Sequence, residues 1–260
     1  MPNPAVHRTL RDKAAQRPVT STLGVTRMTK QVPQHEVYHT CMAEAKLRLL
    51  AAEKVSNSSR SLSGLPSLDM EFCFLQIRRV IEAIAFSAMI REEERYGKHR
   101  EQQRQQNQRD HGDPSKDWHA PEILKRLVSL SPYALPIPIA KATRQDSGHV
   151  HFDRAQINVN HGRLIEMYEL CGGYMHGKSP LVEDFGAQVE AERAKYVQAP
   201  AEVTRGLEFL RKLLWHHVVV QLDWSNPDDP KSLDDPRSAW IVDFGSNESQ
   251  EVTIALAEAT

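Results

Sequence analysis

Residues Gly172 to Ser179 form the segment whose residue types and spacing most directly suggest chemistry. They read G-G-Y-M-H-G-K-S and satisfy the phosphate-loop pattern G-x-x-x-x-G-K-[ST], in which backbone amides and a lysine hold a nucleotide phosphate. Such a loop needs a buried β-strand ahead of it and a helix after it. Here the apolar residues ahead of the loop recur at helical spacing, and the alternating strands and helices of a parallel sheet are missing. An NTPase using Lys178 is therefore an alternative and not the preferred interpretation.

The same residues also fit the C-terminal end of a helix. Gly177 suits the left-handed position after a helix, and His176 and Lys178 suit the negative end of its dipole. Gly172 and Gly173 fall inside this helix, where they cost about 2 kcal/mol relative to two alanines. The pair predicts either a second helix crossing very closely, which we favour, or a backbone that must approach a ligand.

The run from Cys171 to His176, which ends in a histidine near a helix end, resembles the HEPN superfamily. The order of helices over residues 35–222 is similar to that family as well. Its members are helical bundles, often dimeric, and often nucleases of prokaryotic defence and toxin systems. The resemblance therefore implies a bundle, a dimer and a metal-independent ribonuclease that uses His176.

One part of the family pattern is not matched. Active members carry an arginine five or six residues before the histidine, and those positions here hold Cys171 and Leu170. Arg163 cannot replace it, because thirteen residues turn the helix by about 220° and advance it by about 20 Å. The cation would have to come from another helix or subunit, and Arg78 is our candidate.

Ribonuclease chemistry of this kind needs a base beside the ribose 2′-hydroxyl and a cation for the phosphate. His176 could supply the base, and Arg78 or Lys178 the cation. Arg78 shares one helix face with Glu71 and Glu82, at spacings of seven and four residues, and this face could equally be a solvated edge. The candidate binding residues beside the two catalytic ones are Lys178, Tyr174, Glu82, Gly172 and Gly173.

No metal site and no cofactor is predicted. His149 and His151 would face the same way on a strand and could meet His161, but no cysteine or acid stands at a customary zinc spacing. The acids between 228 and 235 lack the glycine and closing glutamate of a calcium loop.

The elements that must position these residues are predicted to be helices. Periodic apolar residues predict five of them, with a frayed extension after the second: His35 to Val55, Asp69 to Arg91, Pro121 to Ser131, His161 to His176 and Ala201 to Leu222. The second is apolar almost all round, which is typical of a helix in the middle of a bundle. A small hairpin is indicated around Val150, and another at 239–256, across Gly245. The predicted fold is thus mainly α.

Charge divides the chain into three regions, which we predict as a basic disordered arm (1–34), a helical bundle (35–222) and an acidic loop with the hairpin (223–260). The arm has six Lys or Arg residues against Asp12, for a net charge of +5, whereas the last region carries −7. Translation starting at Met28 would remove most of the arm. Three widely spaced cysteines, no membrane-spanning run and no secretory signal predict a cytoplasmic protein.

Together these features favour a non-catalytic binding or assembly module. It is expected to be a homodimer, since bundle helices offer apolar faces for self-association, with RNA as a candidate partner through the arm and no membrane. The ribonuclease and the NTPase are the two alternatives.

Overall fold

The computed structural model describes residues 32–106, 117–131, 133–140, 143–144, 150–151, 155, 160–176, 184–221 and 238–258. Within these ranges the chain forms six helices: α1 (Gln34–Ser56), α2 (Pro66–Arg91), α3 (Glu93–Gln106), α4 (Ala120–Leu130), α5 (His161–Met175) and α6 (Phe185–Leu214). It also forms six strands: β1 (Ile137–Pro138), β2 (Thr143–Arg144), β3 (Val150–His151), β4 (His216–Gln221), β5 (Ser238–Asp243) and β6 (Thr253–Glu258). The predicted mainly helical fold is confirmed. Residues 1–31 of the predicted arm lie outside the described ranges.

Helix α2 lies at the centre of the helical layer, as its apolar circumference predicted. It packs against α1, α4, α5 and α6. Its start is marked by Pro66 in the first turn, where a missing backbone N–H costs nothing. Ile77, Ile81 and Ile84 are almost fully buried. Because α2 has four helical neighbours, a polar side chain that it buries among them needs a hydrogen-bond partner.

The sheet is antiparallel and has the strand order β1-β4-β5-β6. The predicted C-terminal hairpin is present as β5 and β6, in which Trp240 is paired with Leu256. The smaller hairpin near Val150 is present as β2 and β3. Strand β4 pairs with β5 along its whole length, so the sheet joins residues on both sides of the predicted boundary at 222.

The last predicted helix, Ala201 to Leu222, was wrong at both ends. The observed helix, α6, begins at Phe185 and passes through Pro200. At its start Asp184 accepts a 2.8 Å hydrogen bond from the backbone amide of Ala187. The helix ends at Leu214, and the valines that follow form β4. The run Val218 to Val220 fits a helix period and a strand equally well in isolation, but β-branched residues favour the strand once β5 supplies the partner hydrogen bonds.

Candidate functional site

Arg78, Glu82 and Tyr168 form a hydrogen-bonded network between α2 and α5. Arg78 and Glu82 are four residues apart on the face of α2 that meets α5. Arg78 Nε lies 3.3 Å from Glu82 Oε1, and Arg78 Nη2 donates a 2.7 Å hydrogen bond to the hydroxyl of Tyr168. That hydroxyl in turn donates to Glu82 Oε1 at 3.2 Å, while Arg79 donates to the other carboxylate oxygen at 2.7 Å. Glu82 therefore serves to hold Arg78 in place.

The Arg78 guanidinium is held against the aromatic ring as well as by hydrogen bonds. Its Cζ lies 4.2 Å from the Tyr168 ring centroid, within the range of a cation–π contact. Burial raises the pKa of Tyr168, and the charge of Arg78 opposes that rise. The phenol thus keeps its proton at neutral pH and can donate to Glu82.

A pocket of about 380 Å³ opens beside this network, and we call it the arginine pocket. Its lining side chains and backbone come from α2, α5 and the start of α4: Arg78, His119, Tyr168, Glu169, Gly172, Gly173 and His176. His119 precedes the first residue of α4 and contacts Tyr168 edge-on, with 5.9 Å between ring centroids. His176 follows the last residue of α5. Both histidines are exposed, so they can reach a ligand.

The predicted pair Arg78 and His176 is brought together by Gly172. A methyl group built on Gly172 would lie 3.5 Å from Arg78 Nη1 and 3.8 Å from His176 Nε2. Both nitrogens therefore lie within 4 Å of one point above the Gly172 backbone. The one α5 position without a side chain on this face leaves that point open.

The favoured interpretation of the glycine pair, a closely crossing helix, is wrong. The three atoms nearest to a methyl on Gly172 would be side-chain atoms of Arg78 and His176, and a methyl on Gly173 would meet no described atom within 4 Å. Side-chain packing is tighter at Gly206 on α6, where an added methyl would lie 3.2 Å from Ile77 Cδ1. The alternative, a backbone that must approach a ligand, fits Gly172, which is buried and lines the arginine pocket.

Tyr174 lies on the opposite side of α5 from the arginine pocket. Its ring is stacked on Phe74 with centroids 3.9 Å apart, and Lys195 Nζ lies 4.2 Å from its centroid. Its hydroxyl donates to the carbonyl of Lys195 at 3.2 Å. These contacts occupy the ring and the hydroxyl, which gives Tyr174 a packing role here; its binding role stays a prediction.

Lys178 falls in residues 177–183, outside the described ranges, so its predicted role is not placed. The phosphate-loop alternative depends on a strand ahead of Gly172, and that segment is α5. Among the described residues no cluster of three His, Cys, Asp or Glu side chains could hold a metal. His149 and the side chain of His151, two of the three histidines considered for zinc, also lie outside them.

His119, Tyr168 and Glu169 were not predicted as site residues. A signal for Tyr168 was present, because Tyr168, Gly172 and His176 follow one another at intervals of four and share a helix face. His119 carried no such signal, since its position depends on how α4 packs against α5.

The described helices include none that is long and apolar enough to cross a membrane.

Comparison with models of protein families, with curated proteins and with solved structures finds no match to this chain. The site must therefore be interpreted from its own geometry.

Proposed function

We propose that this protein is an RNA-associated binding module and that the arginine pocket receives a phosphate of the RNA backbone. The observation that carries the proposal is the convergence of Arg78 Nη1 and two exposed imidazoles, His119 and His176, on one open pocket above Gly172. Arginine binds phosphate through directed N–H groups, and histidine adds further donors.

The charges around the pocket are arranged to leave Arg78 available. Glu82 is the carboxylate that pairs with Arg78, and Arg79 pairs with the same carboxylate, so two cations share one anion. Arg78 Nη1 makes no hydrogen bond to a described residue. Glu169, exposed on the pocket wall, could accept a hydrogen bond from a ribose hydroxyl. A cation for phosphate beside an acceptor for ribose suits RNA better than a free anion.

Fluorescence anisotropy on a labelled single-stranded RNA, titrated with protein at several salt concentrations, would test this proposal. Arg78→Gln should weaken binding by about tenfold or more. It should also make the plot of log K against log salt less steep, by the amount expected for the loss of one phosphate contact. Arg205→Gln, which changes an exposed α6 arginine paired with Glu202, is the matched control and should bind as wild type. Equal affinities of Arg78→Gln and wild type would contradict the proposal.

The basic arm is proposed as a second contact with RNA, on the strength of its charge alone. Deleting residues 1–31 should lower affinity and the salt slope further, and the loss should add to that of Arg78→Gln. An undiminished affinity after the deletion would confine RNA binding to residues 32–260.

Self-association is proposed through an apolar stripe on α2. Four large apolar side chains recur at helical spacing in α2 and at the residue before it, and each is 39 to 57% exposed: Leu65, Leu68, Phe72 and Leu75. Exposed apolar groups that are contiguous mark contact surfaces more often than isolated ones do. Analytical ultracentrifugation should show a dimer that Phe72→Glu converts to a monomer; a monomeric wild type would refute it.

We also propose that the protein resides in the cytoplasm, because its three cysteines are unpaired.

A metal-independent ribonuclease is the second candidate. It is favoured by one observation, the presence of two imidazoles on the same pocket as an arginine, because one could accept the 2′-hydroxyl proton and the other donate to the leaving oxygen. Wild-type protein should then cleave RNA in EDTA. His119→Ala and His176→Ala should each lose at least about a hundredfold in rate, while His161→Ala, at the other end of α5, should not. Intact RNA after incubation with wild type would end this candidate.

A further inference from the structure

A second pocket lies on the other side of His176, and we call it the acceptor pocket. It has a volume of about 460 Å³, within the range of small-molecule sites, and lies between the N-terminal half of α2, the end of α5 and the start of α6. His176 lines both pockets. A nucleotide with its phosphate beside Arg78 would have to pass round the end of α5 at His176 to place its base in this second space.

The polar groups of the acceptor pocket are mostly hydrogen-bond acceptors. Glu71 and Glu192 contribute carboxylates, and Gln188 contributes an amide. Tyr196 donates to Glu71 Oε1 at 2.5 Å, and burial together with this carboxylate raises the pKa of Tyr196. Glu192 is paired with Lys195 at 2.8 Å. With its carboxylates the pocket repels phosphate and attracts a group that presents N–H donors.

Gln188 Oε1 is the acceptor that lacks a partner. The atom is shielded from solvent and makes no hydrogen bond within the described part of the chain. A solvent-shielded acceptor without a partner is unfavourable, and a donor on a bound ligand would satisfy it once the Gln188 side chain turns towards the pocket. A partner carrying N–H groups would complement both this acceptor and the carboxylates of the pocket.

The apolar part of the pocket is aromatic and partly open. Phe185, the first residue of α6, is 50% exposed at the pocket and can offer its ring to a flat ligand. Single-stranded RNA is commonly recognised in this way, with a base stacked on an aromatic side chain and its pairing edge hydrogen-bonded.

We propose that the acceptor pocket is a base subsite that prefers guanine. This proposal rests on the proposed function, in which the 5′- or 3′-phosphate of the nucleotide lies beside Arg78. Guanine presents two adjacent N–H donors, N1–H and the exocyclic amine, which match one carboxylate bidentately. Uracil presents a single N–H between two carbonyl oxygens, and a carbonyl oxygen beside the Glu71 carboxylate would be unfavourable. Adenine presents its amine beside an acceptor nitrogen, so we expect its affinity for the pocket to lie between those of guanine and uracil.

The test is isothermal titration of the full-length protein with guanosine, adenosine and uridine 3′-monophosphates and with guanosine alone. Guanosine monophosphate should bind at least about fivefold more tightly than uridine monophosphate, the lower limit for one bidentate pair. In Glu71→Gln an amide N–H replaces one acceptor, while the remaining oxygen can still accept from Tyr196. The preference should then disappear or reverse towards uridine. Glu190→Gln, an exposed acid on α6 paired with Arg193, is the matched control and should keep the guanine preference.

A second variant, Gln188→Leu, tests the same proposal if Glu71→Gln does not fold. Circular dichroism shows whether each variant is folded. Gln188→Leu should reduce guanosine affinity more than uridine affinity. Equal affinities for all three nucleotides, or a guanine preference unchanged in both variants, would overturn the guanine subsite.

The two proposals fail separately. If Arg78→Gln weakens all nucleotides equally but no base is preferred, phosphate binding stands and the base subsite falls. If guanosine without phosphate binds with the Glu71 dependence while Arg78→Gln has no effect, the base subsite stands and the phosphate site falls. No binding of any nucleotide at millimolar concentration overturns the base subsite, and the anisotropy experiment then decides RNA binding independently.

Discussion

Arg78 on α2 and Tyr168 on α5 are joined twice, by a 2.7 Å hydrogen bond from Nη2 to the phenol oxygen and by a guanidinium carbon 4.2 Å from the ring centroid. Tyr168 is 4% exposed, so this contact is shielded from water. The same phenol donates to Glu82. One hydroxyl thus connects the cation of the site to the carboxylate that positions it.

Removing that hydroxyl should loosen the site without opening a large cavity. Tyr168→Phe loses two hydrogen bonds to charged groups, so we expect a loss of about 1–2 kcal/mol in the free energy of unfolding and weaker RNA binding. Urea denaturation followed by circular dichroism measures the first, and anisotropy the second. Tyr133→Phe, whose hydroxyl makes no hydrogen bond to a described residue, should change neither. A Tyr168→Phe protein as stable as wild type would show that the network adds no net stability.

The two neighbouring glycines of α5 should respond differently to alanine. Both variants remove a helix-disfavouring glycine and should stabilise the fold by up to about 1 kcal/mol, because neither added methyl makes a contact shorter than 3.5 Å with the described residues. Only Gly172→Ala places its methyl between Arg78 and His176. It should therefore bind RNA more weakly than Gly173→Ala, although the two have similar melting temperatures. Equal binding by both would show that a ligand does not occupy the space above Gly172.

The helical part of the fold could be predicted because its signals are local. The apolar period of Leu164 to Met175 and the almost continuous apolar run of α2 each determine a helix without reference to the rest of the chain. The run Val218 to Val220 does not, since its state depends on pairing with β5. The boundary of α6 was missed for a related reason, because Pro200 is a local stop signal that the packed helix tolerates.

The candidate site was predictable only in part. Arg78 and His176 were chosen from their residue types and from the family resemblance, and the structure brings them to one pocket. The contact between Arg78 and Tyr168 spans 90 positions of sequence, and no single-sequence pattern specifies such a pairing. His119 and the acceptor pocket depend in the same way on how separate helices pack.

The thiols of Cys73 and Cys171 should be unreactive in the native protein. Burial raises the pKa of Cys73 to about 11 and that of Cys171 to about 12, and the nearby charge of Arg78 only partly opposes the second rise. Because the thiolate is the reactive form, both should react with Ellman's reagent at pH 8 only after unfolding. Two or more rapidly modified thiols before denaturant is added would contradict this burial.

His217 should make stability depend on pH between about 6.5 and 4. It is fully buried; its Nδ1–H donates to the carbonyl of Leu214 at 2.8 Å, which leaves Nε2 to accept from the hydroxyl of Tyr38 at 2.9 Å. Burial lowers the pKa of His217 to about 4 in the folded state, against 6.5 when unfolded. Below pH 6.5 the unfolded chain therefore binds a proton that the folded chain rejects, so stability is full above pH 6.5 and falls as pH drops, by about 3 kcal/mol near pH 4. Urea titrations at pH 7.5, 6, 5 and 4 should show this fall in wild type, and His217→Gln, which cannot titrate, should show a fall smaller by that amount. Parallel curves for the two proteins would mean that His217 is protonated as readily in the folded chain as in the unfolded one.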